Sequence, residues 1–176
     1  HITLIFTDLK DSTAFYERVG DATAYHLVHE HFAMLAETFR AHNGSIVKTI
    51  GDAVLAAFEE PADAVRAALA VQEKFREFNA TPHDGEMILK LGVHAGRCIA
   101  VTLNDQLDYF GSTVNLAVRL QSEAGGGEII VSQALANDPV VAPLLRDYAM
   151  TTESRAIKGF AEPVTFHRLS ATALAP

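Results

Sequence analysis

One cysteine, Cys98, is all the thiol chemistry the chain owns, so no internal disulfide can form and a reducing, cytoplasmic setting is the expected home. No apolar run approaches the roughly 20 residues that a bilayer-spanning helix needs, and the start lacks a basic stretch followed by an apolar signal core. Basic clusters are missing too. The net charge is −8 with acidic residues spread along the chain, a balance that disfavours nucleic acid as a partner. A phosphate-bearing ligand would be repelled unless cations or well-placed Lys and Arg reversed the local field. No Walker-type phosphate loop, internal repeat or low-complexity segment is present.

What remains is 176 residues, 49% of them apolar, which suits one compact domain over residues 1 to 176. The chain begins with His1 instead of Met, so excision from a larger protein with regulatory domains is expected.

The pattern predicts a buried strand over residues 1 to 7 ending at Asp8, then a polar turn from Leu9 to Thr13. Between Ala22 and His42, the residues Tyr25, Val28, Phe32, Leu35 and Phe39 fall three or four apart and predict a helix, stopped by Asn43-Gly44. Ser45 to Ile50 and Ala53 to Phe58 read as a hairpin turning at Gly51-Asp52. Pro61 opens a second helix with Val65, Leu69, Phe75 and Phe78 inward, and Asn79 to Glu86 reads as loop. Leu89 to His94 and Cys98 to Leu103 read as a strand pair joined through Gly96. A third helix runs from Ser112 to Glu123, with Val114, Ala117 and Val118 facing the core, and Gly125-Gly126-Gly127 separates it from a strand over Glu128 to Ser132. Past Asp138-Pro139 the signal weakens, though Val164 to Leu169 predicts a closing strand. The order predicts an α+β sandwich with a ferredoxin-like βαββαβ core and additional C-terminal strands.

Asp8 at the end of one strand and Asp52 in a tight turn would reach the same sheet edge in that arrangement. Two hard oxygen ligands there suit Mg or Mn carrying a triphosphate. Taken singly, each is better read as a capping or turn aspartate; the ligand reading rests on the two together with the segments around them.

The segments IFTDLKDST at 5 to 13, VKTIGDAVLAAF at 47 to 58 and LDYFGSTVNLAVRL at 107 to 120 together resemble the signature of class III nucleotidyl cyclase catalytic domains, in the family's order. The resemblance implies an adenylyl cyclase that closes ATP into 3',5'-cyclic AMP and pyrophosphate. Asp8, Asp52 and the Leu9 carbonyl would hold two divalent cations, one activating the ribose 3'-hydroxyl and one neutralising the pyrophosphate. Lys48 and Asp108 match the positions that select the base; the alternative for them is an ordinary salt bridge. Asn115 would orient the ribose and Arg119 would stabilise charge on the α-phosphate. Lys158 resembles, over a short stretch, the lysine that clamps the outer phosphates. The resemblance further implies a homodimer whose chains share each active site. A guanylyl or mixed-specificity cyclase, and a catalytically silent nucleotide-binding dimerisation module, are the rival readings.

Asp11 departs from the family pattern, which often has Gly there, and brings a further carboxylate to the phosphate-wrapping turn. His26, His29 and His31 crowd one helix, but without the His-x-x-x-His spacing of a zinc protease they predict no metal site.

Overall fold

Two sheets carry the chain in a computed structural model that describes residues 1–82, 85–103 and 105–173. The predicted 79 to 86 loop includes His83 and Asp84, which lie outside the described residues. The elements run β1 (Ile2–Leu9), α1 (Ser12–Val19), α2 (Asp21–Ala41), β2 (Ser45–Ile50), β3 (Ala53–Phe58), α3 (Pro61–Asn79) and β4 (Leu89–Gly96). They continue with β5 (Ile99–Leu103), β6 (Gln106–Phe110), α4 (Ser112–Glu123), β7 (Glu128–Ser132), α5 (Gln133–Ala136), α6 (Ala142–Leu145), β8 (Tyr148–Arg155) and β9 (Val164–Ala173).

The larger sheet has the order β2-β3-β1-β4-β7-β9-β8 and is antiparallel except where β4 meets β7. Its first four strands, with α2 and α3 crossing between them, have the order and alternation of the ferredoxin-like βαββαβ core, and the C-terminal strands extend it. Strand β3 is buried throughout, as a strand covered on both faces must be. Ile5, Leu9, Val54, Phe58 and Leu91 face α2 and α3 through Leu35, Phe39, Val71 and Phe75. On the opposite face Leu4, Phe6 and Leu55 pack against Ala117 of α4, with Val114 and Val118 partly buried beside it.

Three predictions need correction. The turn at Leu9 to Thr13 is shorter than expected, because α1 starts at Ser12 and buries Phe15. Gly20, at φ 81°, separates α1 from α2 where two helices would otherwise fuse. Tyr25 is 70% exposed, since α2 turns Ala24, Leu27, His31 and Leu35 inward instead. The runs at 89 to 94 and 98 to 103 are both strands but not partners: β4 is consumed by β1 and β7, while β5 pairs with β6 in a separate two-stranded sheet.

Candidate active site

Thr7 of β1 pairs with Val54 of β3, and Ile50 pairs with Ala53 across the hairpin turn. Asp8 and Asp52 therefore lie just past those paired residues, at one end of adjacent strands. Gly51 supplies the positive φ, 62°, that a two-residue hairpin turn needs at its first position. Both aspartates are half-buried, and Asp52 Oδ2 is buried with no hydrogen-bond partner. Burial first, and then the carboxylate of Asp52, push the Asp8 carboxyl above its usual range, while Lys90, the Leu9 backbone amide and Gln121 pull it back. Burial and repulsion between two carboxylates, only partly offset by Lys90 and its neighbours and with one oxygen orphaned, make the environment that a divalent cation resolves. These residues fit such an ion. Leu9 itself is buried at the strand end, which places its backbone beside them.

Three neighbours of this pair carried no sequence signal. Lys90 stands directly across from Asp8 in the β1/β4 register. Gln121 lies one residue beyond the third signature segment. Tyr16 of α1 feels both carboxylates: burial and then Asp52 and Asp8 raise its phenol, against a lowering contact from Ser12. Only register and helix placement bring these three to Asp8 and Asp52.

Lys48 of β2 and Asp108 of β6 are 60 positions apart and meet with Nζ 2.6 Å from Oδ2. The salt bridge weighed as the ordinary alternative is thus present, and it sets one donor beside one acceptor. The Lys48 ammonium, aided by the Tyr109 backbone amide, holds the Asp108 carboxyl below its usual range against the opposing effect of burial.

Asn115 and Arg119 occupy successive turns of α4 and are both exposed, while Ala117 between them is buried. The helix starts at Gly111, φ 142°, and Thr113 Oγ1 donates to the Arg97 carbonyl at 2.5 Å, which fixes its first turn. Lys158 is exposed in the turn between β8 and β9, next to Ile157, which packs under Leu120 of α4. Among the described residues, no hydrogen bond or ion pair ties it to the other site residues. Asp11 adopts a left-handed conformation, φ 53° and ψ 38°, at the start of α1 and makes no side-chain cap. Its exposed carboxylate shares a cleft of about 620 Å³ with Asp8, Lys10, Ser12 and Arg18.

The three histidines diverge: His31 points into the core against Phe75, whereas His26 and His29 flank the exposed Tyr25. Among the described residues, no three His, Cys, Asp or Glu side chains cluster as a metal cage, and no helix is long and apolar enough to cross a membrane.

The chain is 32% identical over 160 residues to an uncharacterized protein of Mycobacterium tuberculosis, covering 90% of this chain and 38% of that protein. It is also 32% identical over 155 residues to Adenylate cyclase 1 of Rhizobium meliloti, covering 80% of this chain and 23% of the relative. It thus spans well under half the length of either protein. The guanylate cyclase domain of RhGC from Catenaria anguillulae, solved with GTP, superposes with a TM-score of 0.82 at 20% identity over 99% of this chain and 97% of that one. Residues 1–158 match the family described as the adenylate and guanylate cyclase catalytic domain, and the chain belongs to that family.

Proposed function

We propose that this domain is an adenylyl cyclase, converting ATP to 3',5'-cyclic AMP and pyrophosphate in a homodimer with shared active sites. The observation that carries the choice of base is the Lys48/Asp108 pair, 2.6 Å apart. Adenine presents an acceptor at N1 and an amino donor at N6, which Lys48 and Asp108 complement side by side. Guanine inverts that polarity and would leave unpaired buried groups, at about 1–3 kcal/mol each. The relative from Rhizobium meliloti bears the name adenylate cyclase, which agrees.

Asp8, Asp52 and the Leu9 carbonyl would hold Mg or Mn, which when bound supplies charge neutralisation at the triphosphate and a more acidic ribose hydroxyl. Asn115 orients the ribose so that its 3'-oxygen faces the α-phosphorus, and Arg119 offers its guanidinium to the oxygens on which negative charge gathers. Lys158 is assigned to the outer phosphates. The ring closure is intramolecular, so orientation alone removes much of the barrier and no covalent enzyme intermediate is required.

Support for the dimer comes from the β5/β6 hairpin. The register puts Ile99, Leu103 and Phe110 on the same hairpin face as Asp108, and they are 63%, 57% and 70% exposed. A second copy covering these side chains would stand beside the base-reading pair. Incubation with Mn and either ATP or GTP, across a range of protein concentration, tests the reading. The expected result is cyclic AMP as the main product, with specific activity rising with concentration. Predominant cyclic GMP would overturn the role given to Lys48 and Asp108. Absence of either product at high concentration would point instead to a silent nucleotide-binding module.

A further inference from the structure

Helix α4 sits directly on β4 at Gly92, where a Cβ atom would come within 2.3 Å of the Gln121 backbone nitrogen and 2.5 Å of the Ala117 carbonyl oxygen. Lys90, two residues earlier on that strand and so on the same face, is the cross-strand partner of Asp8. The seat of α4 therefore hangs the Gln121 side chain over the end of β1 where Asp8 stands. Gln121 is only 4% exposed, and its amide Nε2 has no hydrogen-bond partner. A buried donor without an acceptor costs about 1–3 kcal/mol, so its retention calls for a reason. The amide is close enough to favour the charged form of the Asp8 carboxyl.

We propose that Gln121 is a positioning residue for Asp8, its Nε2 donating to one carboxylate oxygen so that the other is presented to a divalent cation. This rests on the assignment of Asp8 as a metal ligand. A primary amide suits the task because it adds a donor without a charge. A lysine in its place would compete with the cation for the same carboxylate. Groups that orient a metal ligand in this way typically change metal affinity 10–100-fold when removed. Because Gln121 shares α4 with Asn115 and Arg119, the same helix that presents the residues for phosphate chemistry also steadies a metal-binding carboxylate.

The test is a Mn titration of the whole chain, following free Mn by electron paramagnetic resonance. The proteins compared are wild type, Gln121→Met, Gln121→Leu, Asp8→Asn and the Asp8→Asn/Gln121→Met double variant, with affinity counted per folded chain. The expected result is a loss of Mn affinity of about 10-fold or more in Gln121→Met. Turnover should recover as Mn is raised, so that KM for Mn increases while kcat at saturating Mn is largely regained. In the Asp8→Asn background the second substitution should add nothing. Mn affinity within twofold of wild type in the Gln121 variants, or an equal further loss in the double variant, overturns the proposal. If Asp8→Asn itself binds Mn as wild type does, the metal assignment fails, an outcome distinct from a failure confined to Gln121. Gln121→Leu keeps the question answerable should Gln121→Met not fold.

Discussion

Acid should unfold this domain through His31, and the size of the effect can be worked out from its surroundings. The imidazole is fully buried on α2, with its ring centroid 4.9 Å from that of Phe32 and 5.7 Å from that of Phe75, and neither nitrogen makes a completed hydrogen bond. Burial lowers its pKa from 6.5 to about 4, against an opposing contribution from the Val28 backbone. The native chain therefore holds His31 neutral, while the unfolded chain takes up a proton at higher pH. The contribution to stability is fully present above the unfolded value of 6.5 and is lost as pH falls toward the folded value of about 4. A shift of that size corresponds to about 3 kcal/mol in total, of which about 2 kcal/mol disappears between pH 7 and pH 4.5. That is roughly a 30-fold rise in the unfolded fraction from one side chain. Urea unfolding followed by circular dichroism, at half-unit steps of pH, should show wild type losing this stability relative to His31→Leu. His94, also depressed to about 4 by burial, titrates in both proteins and cancels in the difference. At pH 7 the Leu variant is expected to be no less stable, since it removes an unpaired polar ring. Parallel stability curves for the two proteins would refute the reasoning.

Asp52→Ala and Arg119→Ala, each inactive alone, should recover roughly one quarter of wild-type activity when mixed, because half the dimers would be mixed and one site in each would be intact. Heterodimers that form without any activity would rule out shared sites. Asp11→Gly replaces a left-handed aspartate and should raise stability by up to about 1 kcal/mol in urea melts. On the proposed function it should also lower KM for the nucleotide by removing a carboxylate from the cleft beside Asp8, and no change in either quantity would contradict that placement. Gly92→Ala should destabilise the domain by about 1–3 kcal/mol or more, because the added methyl meets backbone instead of a movable side chain. A melt indistinguishable from wild type would show that α4 is not seated as described.

Much of the fold was legible because local chemistry and global packing agree. The helix at 61–79 announces itself through Pro61 and its apolar spacing, and the first hairpin through Gly51-Asp52 between apolar runs. The third helix carries its own punctuation, Gly111 before it and three glycines after it. The strands at 89–96 and 99–103 were each legible, but their partners were not, since adjacency in sequence does not reveal that both edges of β4 are already taken. Strand β8 escaped notice for a different reason: it is a sheet edge whose residues are mostly exposed, so no alternation of apolar and polar residues marks it. The short β6 lacks that alternation as well, three of its five residues being exposed. At the site, the convergence of Asp8 and Asp52 follows from strand order alone. Meeting of Lys48 with Asp108 was foreseeable only through the likeness to cyclase domains, because 60 residues separate them. Lys90 and Gln121 required the β1/β4 register and the seat of α4, which no pattern in the chain encodes.

The two halves of the site are mounted very differently. Asp8 caps a strand laced to neighbours along both edges, whereas Asp108 rides on an outrigger of two strands with one flank bare. Substitutions in the outrigger disturb few of the contacts on which folding depends, while changes around the anchored strand threaten the whole domain. On the proposed roles, the Asp108 half of the base-reading pair is therefore freer to change without loss of the fold than the cation-holding end, which is tied to the core.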